Sequence, residues 1–200
     1  MNEVELMKQK FQDNGSLLIK NLVSKELCHY LTHVFLKIQH NDRINNHNNQ
    51  DEQVSGAISI LPNQYNDTIL EMLWPTAEKY TNEELIPNRS YARLYLNGNV
   101  LNPHRDRPWC EVSLTIQLGK SHDYVWPIHL QDTRYDLEIG DAVLYLGCEK
   151  THWRDKCEGP DGYYSGQLFL HYIKANGQNK QFADVGEIPF VRDRIKHIKE

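Results

Sequence analysis

The sequence carries a His-x-Asp pair, His104 and Asp106, at the end of the segment YARLYLNGNVLNPHRD over residues 91–106. In an extended segment residues i and i+2 project to the same side, so one imidazole nitrogen and one carboxylate oxygen can meet at a single point. Such a pair is common by chance and needs a third ligand to become a metal site. His152, in THWRD, supplies one: it follows the Gly140-Asp141 turn and the apolar run AVLYLG. If residues 151–154 are extended, His152 and Arg154 share a face. Two histidines and a carboxylate on one side of a metal ion leave its opposite positions open.

The elements that position these residues are predicted from periodicity. After Pro87 come short β-type runs at 91–96, 110–118, 124–130, 135–138, 142–146, 151–154 and 166–173, separated by Gly, Pro and Asp. That spacing predicts an all-β sandwich or barrel. Upstream, the Asn14-Gly15 turn leads into a strand at 17–19. Ser24 then caps a helix whose buried stripe is Leu27, Leu31, Val34, Phe35 and Ile38. Val54 to Leu61 is expected to form a strand. Asp67 is expected to open a second amphipathic helix through Ile69, Leu70, Leu73, Ala77 and Tyr80, which Pro75 should kink or divide. Residues 40–53, HNDRINNHNNQDEQ, are too polar to pack and read as a mobile loop suited to a lid, with His40 and His47 solvated. The 200 residues are expected to form one domain: an α-rich layer over about 1–88, a β core over about 89–174 and a tail over 175–200.

Composition narrows the function class. The net charge is -5, and Lys and Arg are dispersed apart from VRDRIKHIKE at the end, so the footprint of a nucleic-acid-binding protein is missing. No apolar run approaches the roughly 18 residues of a membrane span. The first residues, MNEVELMKQK, lack a signal-peptide core, so a soluble, intracellular, cytoplasmic protein is expected. Cys28, Cys110, Cys148 and Cys157 form no CxxC pair and read as free thiols. Cys148 and His152 are spaced for a helix face, whereas this stretch reads as strand, turn and strand, which disfavours a thiol nucleophile.

His2Asp is the donor set of non-haem Fe(II) oxygenases, and zinc is also compatible with it. The surrounding pattern resembles the 2-oxoglutarate and Fe(II)-dependent oxygenases, most closely the prolyl-4-hydroxylase-like branch. Tyr95, Gly98, Pro103, His104 and Asp106 stand where that branch has Tyr-x-x-Gly followed by Pro-His-x-Asp, and His152 follows a Gly-Asp turn and strand as the distal ligand does there. The resemblance extends over about 17–172 and is specific in 91–118 and 139–172. It implies a mainly β chain with N-terminal helices (α+β), folded as a double-stranded β-helix, the cupin-like jelly roll. It also implies Fe(II) on His104, Asp106 and His152, no catalytic side chain beyond those ligands, 2-oxoglutarate as co-substrate and ascorbate as an accessory reductant. The implied reaction consumes O2, hydroxylates a C–H bond of a peptidyl (for instance prolyl) or small-molecule substrate, and releases succinate and CO2. Tyr95 would donate its hydroxyl to 2-oxoglutarate.

The sequence departs from that pattern at the basic residue expected past the distal histidine for the co-substrate's far carboxylate. Asp161, Gly162, Tyr163, Tyr164 and Ser165 occupy that stretch. Strand parity offers Arg154, two positions from His152, and Arg93, two before Tyr95, with Arg154 favoured. Thr115 and Gln117 are candidates for further polar contacts to the co-substrate. Arg107 and Trp153, with Arg105 and Trp109 near them, are expected around the substrate mouth, and His171 reads as a core histidine. The missing basic residue keeps open a second reading, a non-redox jelly-roll metal-binding protein. The sequence does not identify the oligomeric state.

Overall fold

In a computed structural model of the chain, residues 2–44 and 51–183 are described. Asn2 accepts a hydrogen bond from the Glu5 amide and opens a first helix, α1 (Glu3–Asn14), which Gly15 closes at φ 62°. This helix was not expected: Phe11 is its buried residue, so its apolar periodicity is faint. β1 (Ser16–Ile19) follows, then α2 (Lys25–Ile44), where the Ser24 hydroxyl accepts from the Leu27 amide. Leu31 and Phe35 of the predicted stripe are buried, with Leu27, Val34 and Ile38 packed beside them. α2 carries the chain through His40 to Ile44, so residues 40–44 are helix where a loop was expected; residues 45–50, with His47, lie outside the described residues.

The strand expected over 54–61 is confined to β2 (Ile58–Ile60). α3 (Gln64–Thr81) starts earlier than Asp67 because the Asn63 side-chain oxygen Oδ1 accepts from the amides of Tyr65 and Asn66. The helix runs undivided through Pro75. Ile69 and Leu70 before the proline and Ala77 after it belong to one core, so packing holds both halves on a common axis.

The β region consists of β3 (Leu85–Leu96), β4 (Leu101–His104), β5 (Val112–Lys120), β6 (Ile128–Leu130), β7 (Thr133–Tyr135), β8 (Ala142–Leu146), β9 (His152–Arg154) and β10 (Tyr164–Lys174). One sheet has the order β1-β8-β5-β10-β3-β2, the other β4-β9-β6-β7. From β3 to β10 the chain alternates between the two sheets, except that β6 and β7 form a hairpin within the small one, and every pairing is antiparallel. This is the expected double-stranded β-helix, with three helices ahead of it.

The large sheet is buried on both faces, and side-chain alternation divides its residues between two environments. Leu114, Ile116, Leu118, Leu168 and Leu170 pack with Leu31, Phe35 and Leu70 in the core under the helices. The intervening residues point into the sandwich, where two smaller clusters form, one around Tyr95, Leu101, Trp126 and Phe169 and the other around Ile128, Leu130, Val143 and Tyr145. All four cysteines are free, and among the described residues no helix is long and apolar enough to cross a membrane.

Candidate metal centre

The register of β4 on β9 sets Leu101 opposite Arg154 and His104 opposite His152, with an irregularity between the two pairs. The two imidazoles thereby stand 4.1 Å apart between ring centroids. Asp106 turns back from just beyond β4, where its amide donates to the Gly147 carbonyl at 2.9 Å. Its Oδ1 then lies 3.8 Å from His104 Nε2 and 3.5 Å from His152 Nε2. One ligand atom from each of the three residues falls within 4.8 Å of the others, a spacing that suits a shared metal ion.

Outer contacts set the ligand orientation. His104 Nδ1 lies 2.8 Å from the Asn102 carbonyl and His152 Nδ1 lies 2.9 Å from the Lys150 carbonyl. A carbonyl only accepts, so each Nδ1 carries the proton and each Nε2 keeps its lone pair for a metal. Burial would raise the Asp106 carboxyl, but the neighbouring His152 and His171 imidazoles and the hydrogen bond from the Ser113 hydroxyl outweigh it and hold the group at about 2. Burial, and then the neighbouring His152, lowers the affinity of His104 for a second proton. Both shifts keep the ligands in their metal-binding forms at neutral pH.

The triad opens on a narrow cleft between the sheets, walled by Leu101, Ile128, Tyr145 and Phe169 and reached by Arg93 and Arg154. The two arginines differ in what they are free to do. Arg93 donates to Asp51 Oδ2 at 2.6 Å, to the Tyr95 hydroxyl at 2.7 Å and to Gln53 Oε1 at 3.0 Å, so the protein itself uses its guanidinium. Arg154 is 1% exposed and lies over the Trp126 and Tyr95 rings. Its Nη1 donates to the Trp126 carbonyl at 2.5 Å, while Nη2 has no partner among the described residues.

The other expected site residues are distributed around this cleft. The Tyr95 hydroxyl accepts from Arg93, and its ring meets Trp126 edge-on. Thr115 faces the interior and pairs its hydroxyl with that of Tyr145 at 3.3 Å. Gln117 donates to the Gly119 carbonyl and the Ser165 hydroxyl instead of reaching the triad. Arg107 is exposed, its guanidinium 5.3 Å from the Trp109 ring. Trp153 is not where the sequence reading put it: alternation along β9 sends His152 and Arg154 inward and Trp153 outward, where it stacks on His129 at 5.1 Å. Arg105 holds the Thr151 hydroxyl at 3.3 Å.

Four contributors escaped the sequence reading. Asp51 neutralises Arg93, Tyr145 walls the cleft, Ser113 donates to Asp106 Oδ2 at 2.8 Å, and Gly147 leaves room for that carboxylate. The inward parity of Ser113 and Tyr145 was available from the strand pattern; the partnership of Asp51 with a residue 42 positions away was not.

No family model matches the sequence, and no curated protein matches it. Solved structures do. A prolyl-4-hydroxylase from Pseudomonas putida superposes with a TM-score of 0.63 at 14% identity, over 86% of this chain and 99% of that one. A prolyl hydroxylase from Trichoplax adhaerens, in complex with a hypoxia inducible factor peptide, gives 0.66 at 12% identity, over 92% and 93%. HygX from Streptomyces hygroscopicus, bound to nickel, 2-oxoglutarate and hygromycin B, gives 0.62 at 10% identity, over 88% of each chain. At these identities the likeness concerns the fold, and the chain has the double-stranded β-helix fold found in 2-oxoglutarate and Fe(II)-dependent oxygenases.

Proposed function

We propose that the chain is a single-domain Fe(II)- and 2-oxoglutarate-dependent dioxygenase that hydroxylates a C–H bond of a peptidyl or small-molecule substrate. The observation that carries this reading is the buried Nη2 of Arg154, which has no partner among the described residues, in the cleft that the three candidate ligands share. A buried cation with a free donor is costly unless an anion completes it, and a guanidinium suits a carboxylate best. The His2Asp set fits Fe(II).

In this reading His104, Asp106 and His152 hold the metal, and Arg154 receives the far carboxylate of 2-oxoglutarate. Fe(II) bound there supplies the coupling of O2 reduction to decarboxylation: substrate C–H, 2-oxoglutarate and O2 become C–OH, succinate and CO2. Leu101, Ile128 and Phe169 exclude water around the reacting groups. Arg93 shapes the wall with Tyr95 and Asp51, and Thr115 orients Tyr145. Arg107 stands exposed next to the ligand Asp106, where an incoming substrate can meet it. Ascorbate would keep the metal ferrous between turnovers. The fold neighbours include proteins crystallised with a peptide and with an aminoglycoside, so both substrate classes are compatible with the scaffold.

Anaerobic titration of the Fe(II)-loaded protein with 2-oxoglutarate tests the reading. A visible charge-transfer band in the wild type, absent in His104→Ala and requiring more co-substrate in Arg154→Ala, is expected. Retention of zinc with no band and no 2-oxoglutarate binding overturns it in favour of a non-redox metal-binding jelly roll.

A further inference from the structure

His171, on β10, is 3% exposed and lines the cleft beside the triad. Its ring stacks on Tyr91 at 5.7 Å, and Tyr91 stacks in turn on Phe169 at 4.7 Å, so the imidazole is locked in an aromatic ladder. Its Nδ1 lies 2.9 Å from the Ser113 hydroxyl, and its Nε2 has no partner among the described residues.

The protons in this chain of contacts can be counted. Ser113 has one hydroxyl hydrogen and three neighbours: Asp106 Oδ2 at 2.8 Å, the Cys110 carbonyl at 3.3 Å and His171 Nδ1 at 2.9 Å. The first two only accept, and a bond to an ionised carboxylate is about twice as strong as one between neutral groups. The Ser113 hydrogen therefore goes to Asp106, and the hydroxyl oxygen must accept from Nδ1–H of His171. In the neutral ring this leaves a bare lone pair on Nε2, on a residue that lines the cleft. A buried acceptor without a donor costs about 1–3 kcal/mol, so the site is incomplete by one hydrogen-bond donor.

We propose that His171 Nε2 accepts a hydrogen bond from the substrate, and that the substrate therefore presents a neutral O–H or N–H donor, a hydroxyl or an amide, beside the carbon that is oxidised. This rests on the oxygenase reading for the word substrate, while the acceptor itself follows from the proton count. The two walls of the cleft then select opposite chemistry. Arg154 on the small sheet takes an anion, and His171 on the large sheet takes a donor and repels a carboxylate. His171 is a specificity residue, and through Ser113 it also helps to hold Asp106 in place.

Nitrogen NMR of protein labelled with ¹⁵N-histidine and loaded with Zn(II) as a redox-silent metal tests the proposal without turnover. His104 and His152 report metal binding in the same spectrum, so failure of the metal site is seen separately from failure of the acceptor. His171 is expected as the Nδ1–H tautomer, with Nε2 at the position of a bare pyridine-type nitrogen. With 2-oxoglutarate present, acetamide should shift Nε2 towards the hydrogen-bonded position, whereas N,N-dimethylacetamide and acetate should leave it in place. His171→Phe, which keeps the stack on Tyr91, should abolish any discrimination between acetamide and dimethylacetamide read from the neighbouring resonances. An Nε2–H tautomer overturns the proposal, as does an Nε2 that moves with none of the probes. An Nε2 that moves on adding Zn(II) alone and no further with acetamide assigns the donor to metal-bound water and also overturns it.

Discussion

His104 and His152 are direct cross-strand partners, yet one is rim and the other core: the side chain of His104 is 24% exposed and that of His152 is 3% exposed. As proposed ligands the two would serve metal binding equally, and they serve stability unequally. His104→Ala should abolish stoichiometric Fe(II) binding while changing the stability of the metal-free protein by less than about 1 kcal/mol. His152→Ala should abolish binding and also cost about 1–3 kcal/mol, because it empties a packed position under Tyr145. Metal content after anaerobic loading, with urea unfolding of the apo forms, separates the two effects. Equal destabilisation by both variants would contradict the burial argument.

Gly147 stands where the carboxylate ligand needs space. A Cβ there would overlap Asp106 Oδ2 and come within 2.6 Å of the Ser113 hydroxyl and 2.5 Å of the Cys110 carbonyl. Its backbone cannot withdraw, since its carbonyl accepts from Asp106 and its amide donates to Glu111. Gly147→Ala should thus displace Asp106, costing about 1–3 kcal/mol of stability from overpacking. Fe(II) affinity should fall with it. Ser113→Ala, which removes only an outer contact of the same carboxylate, should lower Fe(II) affinity by about 10–100-fold with the fold intact. Competition against a chelator of known affinity measures both.

The clustering of His104, Asp106 and His152 was legible because its signal is local. His104 and Asp106 are two residues apart, and His152 follows a recognisable turn and strand, so parity brings them to one place. That the chain is mainly β, a sandwich or barrel, was legible for the same reason, since short runs with regular punctuation mark the strands, whereas the double-stranded β-helix itself was implied by the family resemblance. What escaped the sequence depends on register between distant segments. The proton path through Ser113 to His171 exists because β5 pairs with β10 at Ser113 and His171, 58 positions apart. The difference between Arg93 and Arg154 depends on whether a remote carboxylate reaches one of them, and Asp51 reaches Arg93. α1 escaped because a cap at Asn2 and a left-handed Gly15 define it more than its apolar pattern does.

Arg154 is the residue by which co-substrate binding can be separated from metal binding. Loss of one charge-assisted hydrogen bond to a carboxylate costs about 1.5–3 kcal/mol, so Arg154→Met should raise the 2-oxoglutarate KM by roughly 10–100-fold. Fe(II) affinity should stay within about threefold, since the guanidinium touches none of the three ligands. Arg154→Lys should recover part of the loss, because it restores the charge without the planar fork. Steady-state succinate formation against 2-oxoglutarate concentration, with metal content checked in each variant, decides the matter; an unchanged KM in Arg154→Met would remove Arg154 as the anchor.

The buried pair of Asp51 and Arg93 should give the fold an acid-sensitive component. Both side chains are 4% exposed, and Asp51 Oδ2 is 2.6 Å from Arg93 Nε. Burial raises the Asp51 carboxyl, but the Arg93 charge and the hydrogen bonds from Ser59, Arg93 and Val54 outweigh it and hold the group below its ordinary value. The unfolded chain therefore takes up a proton before the folded one does as pH falls. The stabilisation is complete above the unfolded value of about 4 and is lost as pH drops through the folded value. Asp51→Ala should remove this component and leave Arg93 as an uncompensated buried cation, at a cost of about 3–5 kcal/mol near neutral pH. Urea unfolding at a series of pH values should show the gap between wild type and variant narrowing only below about pH 4. A gap that stays constant through that range would mean that Asp51 acts through packing and not through its charge.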